Sequence, residues 1–138
     1  MGLFRPATVA HAHCDLYCGV YDPAQAKIEA MSVWKSAQKF HDSDDEVFKA
    51  RAILIKEQQA ELAKHHLSVL WTDFFTADHR AEFSNLDDLF WRAIHQAGVA
   101  KKSVDPADGE KLVQLIDEIA EIFWQTEKAK GMGVYPPS

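Results

Sequence analysis

Asp105-Pro106-Ala107-Asp108-Gly109-Glu110-Lys111-Leu112-Val113-Gln114-Leu115-Ile116-Asp117-Glu118-Ile119-Ala120-Glu121-Ile122-Phe123 is the stretch from which the fold can be read. An aspartate able to cap a helix stands directly before a proline. Proline suits the first helical position, where its missing N–H would have no partner anyway. Leu112, Leu115, Ile116, Ile119, Ile122 and Phe123 then recur at steps of three and four, which is one stripe along a helix. Gly131 and Gly133 are expected to end this helix, and Pro136-Pro137 prevent its continuation.

Working back from it, the same grammar recurs three times. Ser84 is placed to cap a helix carrying Leu86, Leu89, Phe90, Ala93, Ile94 and Ala97, with Gly98 as its expected end. Ser43 with Glu46 reads as a capping box. The long pattern that follows runs from about Asp44 to Phe75, and Val47, Ala50, Leu54, Leu62, Val69 and Leu70 keep returning to one face. Asp22-Pro23, with Gln25 in capping-box position, opens a helix predicted to reach Phe40 or His41, with Ile28, Met31 and Val33 among its apolar positions. No alternating, strand-like pattern competes. Four amphipathic helices with short connections predict an all-α protein, a four-helix bundle with an irregular N-terminal head.

A chain of 138 residues with 47% hydrophobic and 26% charged residues suits one soluble domain with a real core. Its formal net charge of −6 argues against nucleic acid or an anionic membrane as a partner. An anionic substrate would have to be drawn in by local positive charge. No apolar run approaches the ~20 residues of a membrane span, and residues 1–12 lack the apolar stretch of a secretory signal. The cytoplasm is the default location, and its reducing conditions would keep the two cysteines, Cys14 and Cys18, as thiols.

Those cysteines mark the chemically dense segment, His13-Cys14-Asp15-Leu16-Tyr17-Cys18. Two thiolates and an imidazole within six residues can converge on one metal if the chain hooks back on itself, and Gly19 eases such a hook. Thiolates favour zinc, copper(I) and other soft sites, and imidazole suits zinc, copper and nickel. The spacing alone leaves incidental surface thiols equally open, and it is not the C-x-x-C of a redox pair. The chain thus divides into a leader or N-terminal extension (residues 1–12), a metal-binding hook (13–21) and the bundle (22–138).

The run from His13 to Ala26, His-Cys-Asp-Leu-Tyr-Cys-Gly-Val-Tyr-Asp-Pro-Ala-Gln-Ala, resembles the nickel hook of the nickel superoxide dismutase family. The likeness continues through Ile55-Lys56-Glu57-Gln58, Ala60-Glu61-Leu62-Ala63-Lys64-His65-His66 and Val69-Leu70-Trp71. It returns at Asp105-Pro106-Ala107 and Ile122-Phe123-Trp124, so it covers almost the whole chain. The resemblance implies a four-helix bundle, a homohexamer and disproportionation of superoxide to oxygen and hydrogen peroxide. It also implies that a leader peptidase removes residues 1–12, freeing the amine of His13. That amine and imidazole, the backbone nitrogen and thiolate of Cys14 and the thiolate of Cys18 would then hold one nickel ion per subunit. Tyr21 would lie over the metal and gate small anions, and Tyr21 and Asp15 are the candidate catalytic groups. Glu29 would support the axial imidazole.

The sequence departs from the family at the site itself. Tyr17 stands where the family has the proline that shapes the hook. Gln59 stands where it has an arginine that acts with the glutamate matched by Glu29, and Phe74 where it has a tyrosine. Losing the arginine removes a fixed positive charge near an anionic substrate. His11 is an extra imidazole two residues before His13. If the leader stays on, His11, His13 and a thiolate form a set that copper sites use, so copper stands beside nickel. A copper or nickel carrier without turnover uses the same ligands, and a helical interaction module with incidental thiols is the bland alternative. His65 and His66 point in different directions on a helix and read as packing or surface residues; Glu57, Glu61 and Lys64 read as intrahelical charge pairs. Trp71, Phe74 and Phe75 read as core or subunit interface.

Overall fold

The computed structural model describes residues 20–130. Four long helices form the bundle: α1 (Ala24–Asp42), α2 (Glu46–Val69), α4 (Leu86–Lys102) and α5 (Pro106–Gln125). A π-helical turn (Leu70–Phe74) and a short helix α3 (Ala77–Glu82) lie between α2 and α4, and α6 (Glu127–Lys130) follows α5. Contacts run α1 to α2, α2 to α4, α4 to α5 and α5 back to α1. The four helices therefore enclose one core in the order the chain supplies them.

The start and the apolar stripe of α5 are as the sequence predicts, but the helix ends at Gln125, where Thr126 turns to extended backbone, rather than at Gly131. Asp105 Oδ1 accepts from the Ala107 N–H at 2.9 Å, and all six stripe residues are buried. Its first turn also carries Gly109, pressed against α1: a methyl group there would stand 2.6 Å from the Trp34 Cα. At the start of α1, Asp22 Oδ1 accepts from the Ala24 N–H at 2.8 Å.

Other expectations are corrected. Asp45 caps α2, accepting from the Val47 and Phe48 amides, while Ser43 Oγ accepts one step earlier from the Asp45 amide. Asn85, not Ser84, precedes α4, and this helix runs through Gly98 to Lys102. Its end is set from outside. The buried Lys56 of α2 donates from Nζ to the Ala100 and Lys101 carbonyls at 2.8 and 2.6 Å, capping oxygens that no further helical turn could satisfy. Burial pushes the Lys56 ammonium below the usual lysine range, with Glu57 pulling weakly the other way.

Another correction concerns which face of α2 is inside. Val47, Leu54 and Leu62 are exposed, as are Ile28 and Met31 of α1. The face turned inward carries Ala52, Lys56, Ala60, Ala63, His66 and Leu67. Small side chains at these positions let α2 lie close to its neighbours. The larger apolar residues, including Phe48 and Ile55, are left on the outside.

The predicted helix to Phe75 ends in a π-turn instead. The Phe75 N–H bonds to the Leu70 carbonyl, five residues back, at 3.1 Å. Phe74, the last residue of the π-turn, and Phe75, in extended backbone directly after it, both lie in the core. Phe74 is fully buried among Tyr21, Phe75, His79 and Phe123. Trp71 is half-buried against Phe90.

Candidate metal centre

The N-terminus of α1, the end of the π-turn and the junction of α5 with α6 meet at one end of the bundle. Tyr21, near the start of the described residues, lies there. His11, His13, Cys14, Asp15, Tyr17 and Cys18 lie outside the described residues. Tyr21, Glu29 and Gln59 lie within them.

Tyr21 is 4% exposed, and its ring meets Phe74 edge-on with centroids 5.9 Å apart. Phe74, at the position where the resemblance notes a tyrosine, is thus the wall behind the proposed gate. Lys128 completes this corner. Its Nζ donates to the Phe74 carbonyl at 3.0 Å, 4.5 Å from the Phe74 ring centroid and 5.9 Å from that of Tyr21.

Glu29 sits on the buried face of α1 with Ala26, Ala30 and Val33. Its partner across the helix interface is His66 of α2, with Nδ1 and Oε2 2.7 Å apart and each residue 7% exposed. A carboxylate only accepts, so His66 Nδ1 donates in this bond. Gln59 is half-buried on α2, two turns before His66. The histidine read as packing or surface is therefore buried and fixes the carboxylate expected behind the metal. Sequence reasoning missed this pairing, although positions 56, 63 and 66–67 share one helical face and a polar residue on such a face requires a partner.

The remaining candidates settle into ordinary roles. Glu61 pairs with Lys101 of α4 at 2.8 Å, so its bond is interhelical rather than intrahelical, and Lys101 holds the Glu61 carboxyl below the usual range. His79 forms a reciprocal cap with Thr76 at the start of α3. His95 stacks on Trp91 at 4.9 Å. Among the described residues no group of three His, Cys, Asp or Glu could hold a metal ion. A surface cavity of about 970 Å3 is lined by Trp71 of the π-turn and by Phe90, Trp91 and His95 of α4, and none of Tyr21, Glu29, Gln59 or His66 borders it.

Residues 8–127 match the family described as nickel-containing superoxide dismutase. The chain belongs to that family. Among similar members, "Superoxide dismutase [Ni]" of Streptomyces seoulensis is 51% identical over 127 residues, covering 92% of this chain and 97% of that one. The protein of the same name from Streptomyces coelicolor is 50% identical over the same shares of the two chains. A solved native nickel superoxide dismutase superposes with a TM-score of 0.81 at 50% identity, covering 83% of this chain and 99% of that one. A solved apo form gives a TM-score of 0.77 at 49% identity. The all-α bundle and the superoxide dismutase assignment inferred from the resemblance both stand. Both cysteines fall inside the matched region.

Proposed function

We propose that this nickel superoxide dismutase carries out its chemistry at the N-terminal hook, with His13, Cys14 and Cys18 as metal donors and Tyr21 and Asp15 as catalytic groups. The reaction is that of the family: two superoxide ions and two protons give one oxygen and one hydrogen peroxide. The observation that carries this reading is family membership across a region containing the chain's only two thiols. Their chemistry fits the metal, because anionic thiolate donors stabilise the higher oxidation state on which a nickel couple depends. Nickel, when bound, supplies the one-electron acceptor and donor for the two half-reactions.

The protein's own groups do the rest. Tyr21, held against Phe74, presents a phenol that orients a small anion and can hand it a proton at Oη. Asp15, beside Cys14, is the second proton-handling candidate. Glu29, anchored by His66, offers a fixed carboxylate to the imidazole of His13, which sets that ring's orientation. Gln59 leaves this carboxylate without an arginine from position 59. Tyr17 stands where the family has the proline of the hook.

In this reading residues 1–12 are a leader whose removal by a peptidase frees the His13 amine, and the protein works in the cytoplasm. The test is the intact mass and metal content of natively expressed protein. The expected result is a chain beginning at His13 with one nickel per subunit. Copper in full-length protein, lost together with turnover in His11→Ala, would replace the nickel arrangement by one using both imidazoles.

We assign the active form to a homo-oligomer, a hexamer by family likeness. Support comes from the apolar residues left outside: Val47, Phe48, Leu54, Ile55 and Leu62 recur at near-heptad steps on α2, beside Ile28 and Met31 on α1. Sedimentation at micromolar concentration is expected to show the oligomer. A fully active monomer would remove this part of the reading.

A further inference from the structure

The chain carries a net charge of −6, its substrate is an anion, and Gln59 stands where the family resemblance expects a cation. We propose that Lys128 is the positioning residue that draws superoxide to Tyr21, a role resting on the reading of Tyr21 as the gate.

Three features of the fold place this charge. Thr126, fully buried, breaks α5 by turning its hydroxyl onto the Phe123 carbonyl at 2.8 Å, and the same oxygen accepts from the Ala129 N–H at 3.2 Å. The chain is thereby folded back into α6. Lys128 then projects over Phe74 and Tyr21, tethered by the single bond to the Phe74 carbonyl. Its neighbour Lys130 spends its charge on Glu127, whereas none of the ion pairs among the described residues involves Lys128. An ammonium has three N–H donors, so the tether leaves it able to meet an anion. Salt screens exposed charges beyond about 8 Å at physiological ionic strength, so a charge must stand as near the gate as this one to act on it. The net charge of −6 repels superoxide as a whole, and a cation at the mouth sets where an approaching anion is held.

The test uses nickel-loaded Lys128→Met and Lys128→Arg, with Lys39→Met as a charge control. Lys39 lies roughly 22 Å along α1 from the end where Tyr21 sits. The second-order rate constant with superoxide is measured across ionic strength, alongside nickel content and melting. At low ionic strength K128M is expected to be roughly two- to fivefold slower, with a flatter salt dependence, as for loss of a rim charge. K128R and K39M should keep the parent rate and slope. In metal-free protein, azide should shift the Tyr21 ring resonances in the parent and K128R but not in K128M. Parent-like rate, slope and azide response in K128M would overturn the proposal. So would a loss equal at every ionic strength, which marks a structural tether only. Tyr21→Phe separates the two readings. If it behaves as the parent throughout, the gate assignment falls; if only K128M does, the steering role alone falls.

Discussion

Replacing Cys14 or Cys18 by serine is expected to abolish superoxide turnover and nickel binding while leaving the helical content of the protein unchanged. A serine hydroxyl is a hard donor that stays protonated near neutral pH, so it replaces neither the charge nor the softness of a thiolate. Groups standing behind metal ligands cost about 10- to 100-fold when removed, and a direct ligand should cost more than that. The bundle, by contrast, draws its stability from the stripe on α5 and the aromatic cluster around Phe74, neither of which contains a cysteine. Circular dichroism, metal analysis and turnover on each variant check the three parts of the claim. Full activity in either variant would take the metal away from the hook.

The second large effect is on stability. Phe74→Ala is expected to cost about 3–5 kcal/mol, the range for removing a buried phenylalanine ring from a core that collapses only partly. Against a total of about 5–15 kcal/mol, that is a large share of what holds a domain of this size together. The melting temperature should fall by roughly 10–20 °C. Phe74 is 0% exposed, and its ring touches those of Tyr21, Phe75, His79 and Phe123, so the loss is shared by the π-turn, the segment before α1, α3 and α5. Phe74→Tyr keeps the ring and should melt much closer to the parent. A melting curve for Phe74→Ala that overlays the parent would contradict this account of the core.

How much of this could be read in the sequence depended on whether the signal was local. The start of α5 was legible because its cap, its proline and its stripe agree, and the stripe residues Leu112, Leu115, Ile116, Ile119, Ile122 and Phe123 are buried as the pattern requires. The hook residues lie outside the described part of the chain and are carried by family likeness alone, which also pointed to Tyr21 and Glu29. The inward face of α2 was not legible. Apolar residues lie on several of its sides, and the choice between Val47–Leu54–Leu62 and Ala52–Ala60–Ala63 is made by how closely α1 and α4 approach. Gly98 looked like a helix end, yet α4 ends where Lys56 reaches its carbonyls, an interaction across 44 residues of sequence. The short α3 carries no buried residue and so has no apolar period to announce it. His66 and Lys128 were missed for the same reason as Gly98. Their significance lies in partners on other helices, Glu29 in one case and Phe74 in the other.

The π-turn at Leu70–Phe74 also bears on how this chain can change in length. One residue more than an α-helical turn is spent there, and it sets the angle at which Phe74 and Phe75 leave α2 for the core. Deleting any one of the five would restore the ordinary pitch, rotate whatever follows by about 100° and expel one ring from the core. Insertions and deletions can be absorbed at connections such as residues 83–85, but not here. Over generations this segment therefore acts as a length gauge: descendants of this chain can exchange its side chains one by one, but they keep its residue count.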